Sequence, residues 1–333
     1  VLGIDLGKNI YHLFGVNEQG RPVLRKKLKR KEFLNYLANL PPCLIGMEAC
    51  GGSNHWAREI AKLGHEVKLM APQLVKPYVK GNKNDFNDAE GICEAVSRPS
   101  MRFVEIKTIE QQDIQALHRI RQSLVKSRTA LSNQIRGLLA EYGIVVGKGL
   151  SQVRKRIPEI LEDGENGLTA QFRRWLRQQL EAFYGLDAQI KEHTKEIEVI
   201  CRENETSRRL KAIPGLGAQG ATAIVAAYGN ASHYSSGRQF AASIGLVPRQ
   251  NSTGGKSVLL GISKRGDKYI RTLLIHGARA VITHLGDKQD KRSRWLRALV
   301  GRRGVNRAAV ALANKNARTI WALLTRGDHY QMA

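Results

Sequence analysis

The sequence predicts an α/β N-terminal domain over residues 1–105, a long helical middle over 106–206 and a mainly α C-terminal domain over 207–333. Three observations carry this division. In the first hundred residues, short apolar runs alternate with segments of helical periodicity, the pattern of an α/β unit. From about 108 to 206, apolar residues recur at helical and heptad spacing. From Ser207 onward, a Pro-Gly turn is followed by further amphipathic helical patterns.

Element by element, VLGIDLG (1–7), YHLFGV (11–16) and PVLRKKL (22–28) read as strands joined by tight connections, hence an antiparallel meander. RKEFLNYLANL (30–40) reads as a helix, CLIGMEA (43–49) as a buried strand and NHWAREIAKLG (54–64) as a helix closed by glycine. HEVKLMA (65–71) is a further strand and NDAEGICEAVS (87–97) a helix. The order βββαβαβα is that of the RNase H fold.

In the middle region, Leu117, Leu124, Leu131 and Leu138 recur every seven residues, with Ile120 and Ile135 beside them. Leu176, Leu180, Phe183, Leu186, Ile190, Ile197 and Ile200 do much the same in a second segment. Two long helices forming a hairpin or coiled coil are expected, with a short helix plus loop between them over 147–167. Arg119, Arg121, Lys126, Arg128 and Arg136 lie on the polar side, either as a solvated face or as a nucleic-acid track.

In the last region, LKAIPGLGAQGATAIVAAYG (210–229) has a helix, turn, helix rhythm with Gly215 and Gly217 at the turn. It resembles a helix-hairpin-helix element, in which N–H groups at the second helix's start face a DNA phosphate. An ordinary Gly-rich turn between packed helices is the plainer alternative. QFAASIGLVP (239–248), DKYIRTLLIHGARAVI (267–282) and NRAAVALANKNARTIWALL (306–324) follow, the last two as amphipathic helices.

Charge narrows the choice of partner. The chain of 333 residues carries 54 Lys+Arg against 29 Asp+Glu, a net +25. From Lys211 to the end, 20 basic residues face 4 acidic ones, so +16 of that charge lies in the last 123 residues. Such an excess points to a polyanion, because neutralising phosphates releases counterions. There is no apolar run of about 20 residues and no recognisable signal peptide, so no membrane partner is expected. Cys43, Cys50, Cys93 and Cys201 show no metal-binding spacing and read as free thiols of a reducing cytoplasm. The chain opens inside an apparent strand, which suggests that a few residues precede Val1.

Four acids stand out. Asp5 lies in the middle of an apolar strand, where a carboxylate is costly unless something neutralises it. Glu48 ends a second apolar strand, and Asp85 and Asp88 share one face of a helix at i, i+3 spacing. Either of the last two alone reads as a helix N-terminal acid, favourable with the macrodipole. In the RNase H order, however, the first strand's centre, the fourth strand's end and the last helix's face converge. Together the four carboxylates then form a site for one or two Mg²⁺ ions.

NSTGGKS (251–257) ends like a nucleotide-binding loop, G-x-x-x-x-G-K-[ST]. Gln250 stands where the first glycine belongs, and no strand–loop–helix pattern surrounds it, so a nucleotide site is not expected. Gly254 and Gly255 allow close backbone approach to DNA. Arg249, Lys256, Lys264 and Arg265 neutralise phosphates nearby or are solvated surface charges. No His–Asp pair that would activate a serine lies near in sequence, and His233 and His276 sit in packed or capped patterns.

GIDLGK, GMEACGG and KNDFNDAEG resemble the DEDD, RuvC-like domain of the insertion-sequence-110 transposases. IPGLGAQGATAIVA, FAASIGLVPRQNSTGGK and GISKRGDKYIRTLLIHGARA resemble that family's C-terminal transposase domain. The likeness runs in order from residue 1 to about 325, and STGGK followed by ISKRGD is most similar to the insertion-sequence-1111 branch. The resemblance implies an RNA-guided, site-specific DNA recombinase. Its DEDD cluster, here Asp5, Glu48, Asp85 and Asp88, binds Mg²⁺. A serine, here Ser252, attacks DNA to give a covalent 5′-phosphoserine. It implies a guide RNA pairing with element-end and target DNA, dimers that pair into tetramers, active sites completed between subunits, and work at the bacterial nucleoid. Thr253 stands where some members carry glycine or serine, leaving a second hydroxyl beside Ser252. Two other readings use part of these features: a Mg²⁺-dependent, junction-resolving nuclease that uses water, and a nucleic-acid-binding scaffold without chemistry.

Overall fold

The computed structural model describes residues 1–82 and 84–331; Lys83, which opens the KNDFNDAEG motif, lies outside the described residues. The chain divides into two compact units, Val1–Thr108 and Ile109 onward.

The first unit is built on a sheet. β1 (Leu2–Leu6), β2 (Ile10–Val16) and β3 (Pro22–Lys29) form an antiparallel meander. α1 (Phe33–Ala38) leads to β4 (Leu44–Glu48), parallel to β1. α2 (Ser53–Lys62) leads to β5 (Glu66–Met70), parallel to β4. After a short helix α3 (Pro72–Val75) and a 3-10 turn (Lys76–Tyr78) come α4 (Asp85–Val96) and a last strand β6 (Phe103–Val104), antiparallel to β5. The strand order is β3-β2-β1-β4-β5-β6. The strands and helices expected from periodicity are present, with ends moved by one to three residues. β6 and the Pro72–Tyr78 turns have no periodic signal, being two to four residues long.

Period-two alternation gives the sheet two different faces. Leu2, Ile4, Tyr11, Leu13, Ile45, Met47, Val67 and Leu69 pack with Phe33, Leu37, Trp56, Ala57 and Ile60 of α1 and α2. The other face carries Gly3, Asp5, His12, Phe14, Gly46 and Glu48 and receives α4, through Ala89, Cys93 and Val96. The acids are therefore on the face that α4 covers.

The second unit is mainly helical: α5 (Ile109–Ala140), α6 (Leu150–Glu162), α7 (Ala170–Glu203), α8 (Glu205–Lys211), α9 (Ala218–Tyr228), α10 (Gly237–Ser243), α11 (Lys268–Thr283) and α12 (Lys291–Arg326). The segments expected to form the middle and C-terminal regions lie in this one unit, because α5 and α7 both pack on α9. The heptad leucines of α5 are not its buried line. Ile114, His118, Ser132, Ile135 and Leu139 are buried, whereas Leu138 and Ile120 are exposed. An α-helix drifts about 20° per heptad against a 3.5-residue repeat, and α5 changes partners along its length among α9, α7 and α6.

Two features were not expected. α12 begins at Lys291 rather than 306, because its first half buries little more than Leu296 and Ser293 and shows no apolar stripe; Gly304 kinks it (φ 75°, ψ 163°). β7 (Pro248–Gln250) and β8 (Leu259–Ile262) form a hairpin that carries the NSTGGKS segment at its tip. Residues 248–261 are exposed throughout, so the strands show no inside–outside alternation.

Candidate active site

The acid cluster begins with two glycines. A Cβ on Gly3 of β1 would lie 2.2 Å from the Ala89 carbonyl oxygen and 2.4 Å from the Cys93 nitrogen. One on Gly46 of β4 would lie 2.7 Å from Val96 Cβ. Only glycine lets α4 lie this close to the sheet, and α4 brings Asp85 and Asp88 with it. Asn84 caps the helix by accepting from the Phe86 N–H, which fixes where that first turn begins. In the parallel register Ile4 is opposite Met47, so Asp5 and Glu48 follow side by side at the strand ends.

Crowding shows in the acidities. Burial, then Asp88 and Asp85, hold the Asp5 carboxyl above its usual range, with His12 opposing. Burial, then Asp5 and Asp88, do the same to Glu48. The neighbouring Cys50 thiol is also raised, by burial and then by Glu48 and Asp5. Mutually repelling carboxylates of this kind are suited to a divalent cation, which would relieve the repulsion. Donor atoms of Asp5, His12 and Asp85 lie within 4.8 Å of one another. His12 is absent from the sequence-predicted set. The signal was available, since it is two residues from the end of the expected turn on the same alternating face as Asp5.

Ser252 is in the second unit, on the β7–β8 hairpin. Asn251 N–H donates to the Val258 carbonyl at 2.9 Å, and Thr253 and Lys256 exchange backbone bonds at 3.3 and 3.0 Å. Gly254 (φ +54°) and Gly255 (φ +76°) fill the two left-handed positions between them. This is the primed hairpin turn that favours Gly-Gly. Both glycines face open space, with nothing within 4 Å of a built Cβ. Ser252 Oγ accepts from Gln250 Nε2 at 2.9 Å and from the Val258 N–H at 3.3 Å. Its own O–H donates no hydrogen bond among the described residues. Arg249, Thr253, Lys256, Lys264 and Arg265 are all exposed on or at the foot of the hairpin. Lys264 holds a positive φ of 55°.

The basic residues of α5 separate into two groups. Arg128 donates to Asp187 Oδ1 at 2.5 Å, while Arg154 Nε and Nη2 take Oδ2 at 2.8 and 2.6 Å; Asp187 and Arg128 are largely covered, and Arg154 is exposed. Arg121 donates to Thr194 Oγ1 and Arg136 to the Val146 carbonyl. Arg121, Arg128 and Arg136 of α5 thus serve the helical packing. Arg119 and Lys126 remain exposed and line, with Lys268 at the start of α11, a cleft of about 560 Å³. Below it His118 Nε2 faces Thr222 Oγ1 at 2.9 Å and Nδ1 faces Tyr269 Oη at 3.0 Å. Thr222 donates to the Ala218 carbonyl, and Gln219 donates to Tyr269 Oη. The consistent assignment is a neutral ring protonated at Nε2, and burial pushes its pKa down to about 4.

The glycine turn also divides. Gly215 (φ +85°) meets Gly277 of α11, where a Cβ would lie 2.7 Å from the Gly277 carbonyl oxygen, so its absent side chain serves helix packing. Gly217, the N-cap of α9, is exposed and faces open space.

Two family models match the chain. Residues 2–144 match the IS110 DEDD transposase family, and residues 207–296 match the family described as Transposase IS116/IS110/IS902. The chain is 49% identical over 331 residues to the "Transposase for insertion sequence element IS1111A" of Coxiella burnetii, covering 99% of this chain and 91% of the relative. It is 48% identical over 331 residues to the "Probable family 20 transposase" of Pseudomonas aeruginosa, covering 99% and 98%. It is 44% identical over 328 residues to the "Transposase for insertion sequence element IS1328" of Yersinia enterocolitica, covering 98% and 97%.

Proposed function

This chain belongs to the IS116/IS110/IS902 family of transposases, and from that premise we propose that it is an RNA-guided DNA recombinase that cuts and rejoins strands through a 5′-phosphoserine on Ser252. The observation that carries the reading is the gathering of Asp5, Glu48, Asp85 and Asp88 on one sheet face, where α4 can approach only because residues 3 and 46 are glycine. The sheet order β3-β2-β1-β4-β5, with a meander followed by parallel strands, supports an RNase H-like, RuvC-like first domain. The three-domain division, with a coiled-coil middle over 106–206 and a transposase domain over 207–333, is part of the same proposal.

Asp5, Glu48, Asp85 and Asp88 would hold one or two Mg²⁺ ions. Bound there, Mg²⁺ supplies Lewis-acid stabilisation of charge on the scissile phosphate. Ser252 Oγ gives up its proton and forms the new P–O bond to the 5′ side; the P–O3′ bond breaks and the 3′ oxygen leaves as a hydroxyl after taking up a proton. Rejoining reverses this when a 3′-hydroxyl from another strand attacks the phosphoserine and serine regains its proton. Gln250 and the Val258 N–H hold Oγ in place by donating to it, leaving its own O–H bond to turn toward an acceptor.

Arg249, Lys256, Lys264 and Arg265 neutralise phosphates beside the serine, and Thr253, Gly254 and Gly255 form the approach surface. Arg119 and Lys126 track a nucleic-acid backbone, and the open Gly217 end of α9 takes a phosphate in helix-hairpin-helix fashion. Arg121, Arg128, Arg136 and Gly215 act at one remove, by holding those elements. A non-coding RNA selects element-end and target DNA by base pairing, and dimers pair into tetramers at the bacterial nucleoid. Purified with its RNA, Asp5→Asn is expected to bind element-end DNA as the unaltered protein does while strand cleavage in Mg²⁺ is lost. Cleavage retained by Asp5→Asn would remove the acid cluster from the chemistry.

A further inference from the structure

We propose that His12 is a metal ligand: with Asp5 and Asp85 it forms an imidazole–carboxylate position that makes this centre take Mn²⁺ in preference to Mg²⁺. The inference rests on the metal reading above and deepens it. His12 is paired with Asp5 across the β1–β2 ladder, so both side chains leave the sheet on the face that α4 covers. The residue is 8% exposed, and its Nδ1 points at Asp85 Oδ2 from 3.6 Å. That separation is too long for a hydrogen bond. No hydrogen bond to the ring occurs among the described residues, although a buried imidazole ordinarily has one.

The ring is held in that direction from the side. It packs edge-on against Phe86, with centroids 4.7 Å apart, and the Arg25 guanidinium covers Phe86 at 4.7 Å. Phe86 directly follows Asp85 in α4, so the stack places His12 beside the backbone that carries Asp85. Ligand atoms about 2.1 Å from one ion lie roughly 3–4 Å apart. The three donor atoms fall within 4.8 Å, so side-chain adjustments of less than about 1 Å bring them into that range.

The nitrogen matters for which ion enters. Mg²⁺ is hard and takes oxygen ligands in near-ideal octahedral geometry. Imidazole suits Fe²⁺, Ni²⁺ and Zn²⁺ best and Mn²⁺ stands at the weak end of that first-row series, yet Mn²⁺ still accepts a nitrogen donor more readily than Mg²⁺, which dehydrates reluctantly. Replacing one oxygen donor by the His12 nitrogen therefore penalises Mg²⁺ more than Mn²⁺. Glu48 and Asp88, which repel each other and Asp5, remain as all-oxygen donors.

The test uses the full chain, prepared without a histidine tag and loaded with Mn²⁺. Pulsed electron paramagnetic resonance is expected to show a directly coordinated ¹⁴N nucleus, replaced by ¹⁵N when histidine is labelled and absent in His12→Gln. Competition titration is expected to show the Mn²⁺-over-Mg²⁺ preference falling at least about tenfold in His12→Gln. Bound Mn²⁺ with no nitrogen coupling in the unaltered protein overturns the His12 assignment and leaves the carboxylate site standing. Mn²⁺ uptake that is unchanged in Asp5→Asn overturns the metal site itself, and His12 with it. The spectrum of the unaltered protein decides the question even if His12→Gln folds poorly.

Discussion

Asp5 and Glu48 are held in their protonated forms more strongly than free carboxyls, first by burial, and then Asp5 by Asp88 and Asp85 and Glu48 by Asp5 and Asp88. A carboxyl raised on folding adds stability below its unfolded pKa of about 4. That contribution is lost as pH rises through the folded value. The metal-free first unit is therefore expected to melt progressively lower as pH rises above about 4. Asp5→Asn should raise its melting temperature at pH 7, and saturating Mg²⁺ should do the same for the unaltered protein. Scanning calorimetry at several pH values, with and without Mg²⁺, checks this; a metal-free melting temperature unaffected by Asp5→Asn would contradict it. His118 has the opposite sign. Its pKa of about 4 lies below that of a free histidine, so stability is full above about 6.5 and falls as pH drops toward 4. His118→Gln should flatten that part of the curve, which spans on the order of 3 kcal/mol.

At the level of elements, the α4–sheet contact and the serine hairpin make contrasting predictions. Gly3→Ala places a methyl group into the Ala89 and Cys93 backbone. It should cost about 1–3 kcal/mol and displace both α4 acids, so stability and Mg²⁺ affinity fall together. Gly254→Val strains a left-handed position in a hairpin that buries almost nothing. It should leave the melting temperature unchanged and lower strand cleavage. The same contrast explains what was legible in the sequence. β1, β4 and α4 bury one face or both, so their apolar spacing revealed them, and the carboxylates stood out as costly exceptions. The hairpin has no inside, so nothing in its apolar pattern marked it, although Thr-Gly-Gly-Lys is a strong turn signal. Gly3 and Gly46 were visible as residues but not as contacts, because their partners Ala89, Cys93 and Val96 come from a distant segment. The pairing of Arg128 with Asp187 was hidden for the same reason, since 59 residues separate them.

For the whole molecule, the question is which of its many cations meet phosphate. The net +25 favours any polyanion, and salt dependence separates contact from packing. Lys256→Ala should reduce the slope of log K against log salt for DNA binding by about 1. Arg128→Ala should leave the slope alone and destabilise the second unit by about 1–2 kcal/mol, because Asp187 loses one charged donor but keeps the partly exposed Arg154. Filter binding across a salt series and chemical denaturation make the comparison.

The central claim is that Ser252, rather than water, attacks the DNA. The most direct measurement incubates the RNA-loaded protein with labelled element-end DNA and Mg²⁺, then resolves the products on a denaturing gel. A covalent protein–DNA band that maps to Ser252 through a 5′ phosphate and is absent from Ser252→Ala is expected. Strand cleavage by Ser252→Ala at the unaltered rate, with no covalent band for either protein, would contradict it and leave a metal-dependent nuclease.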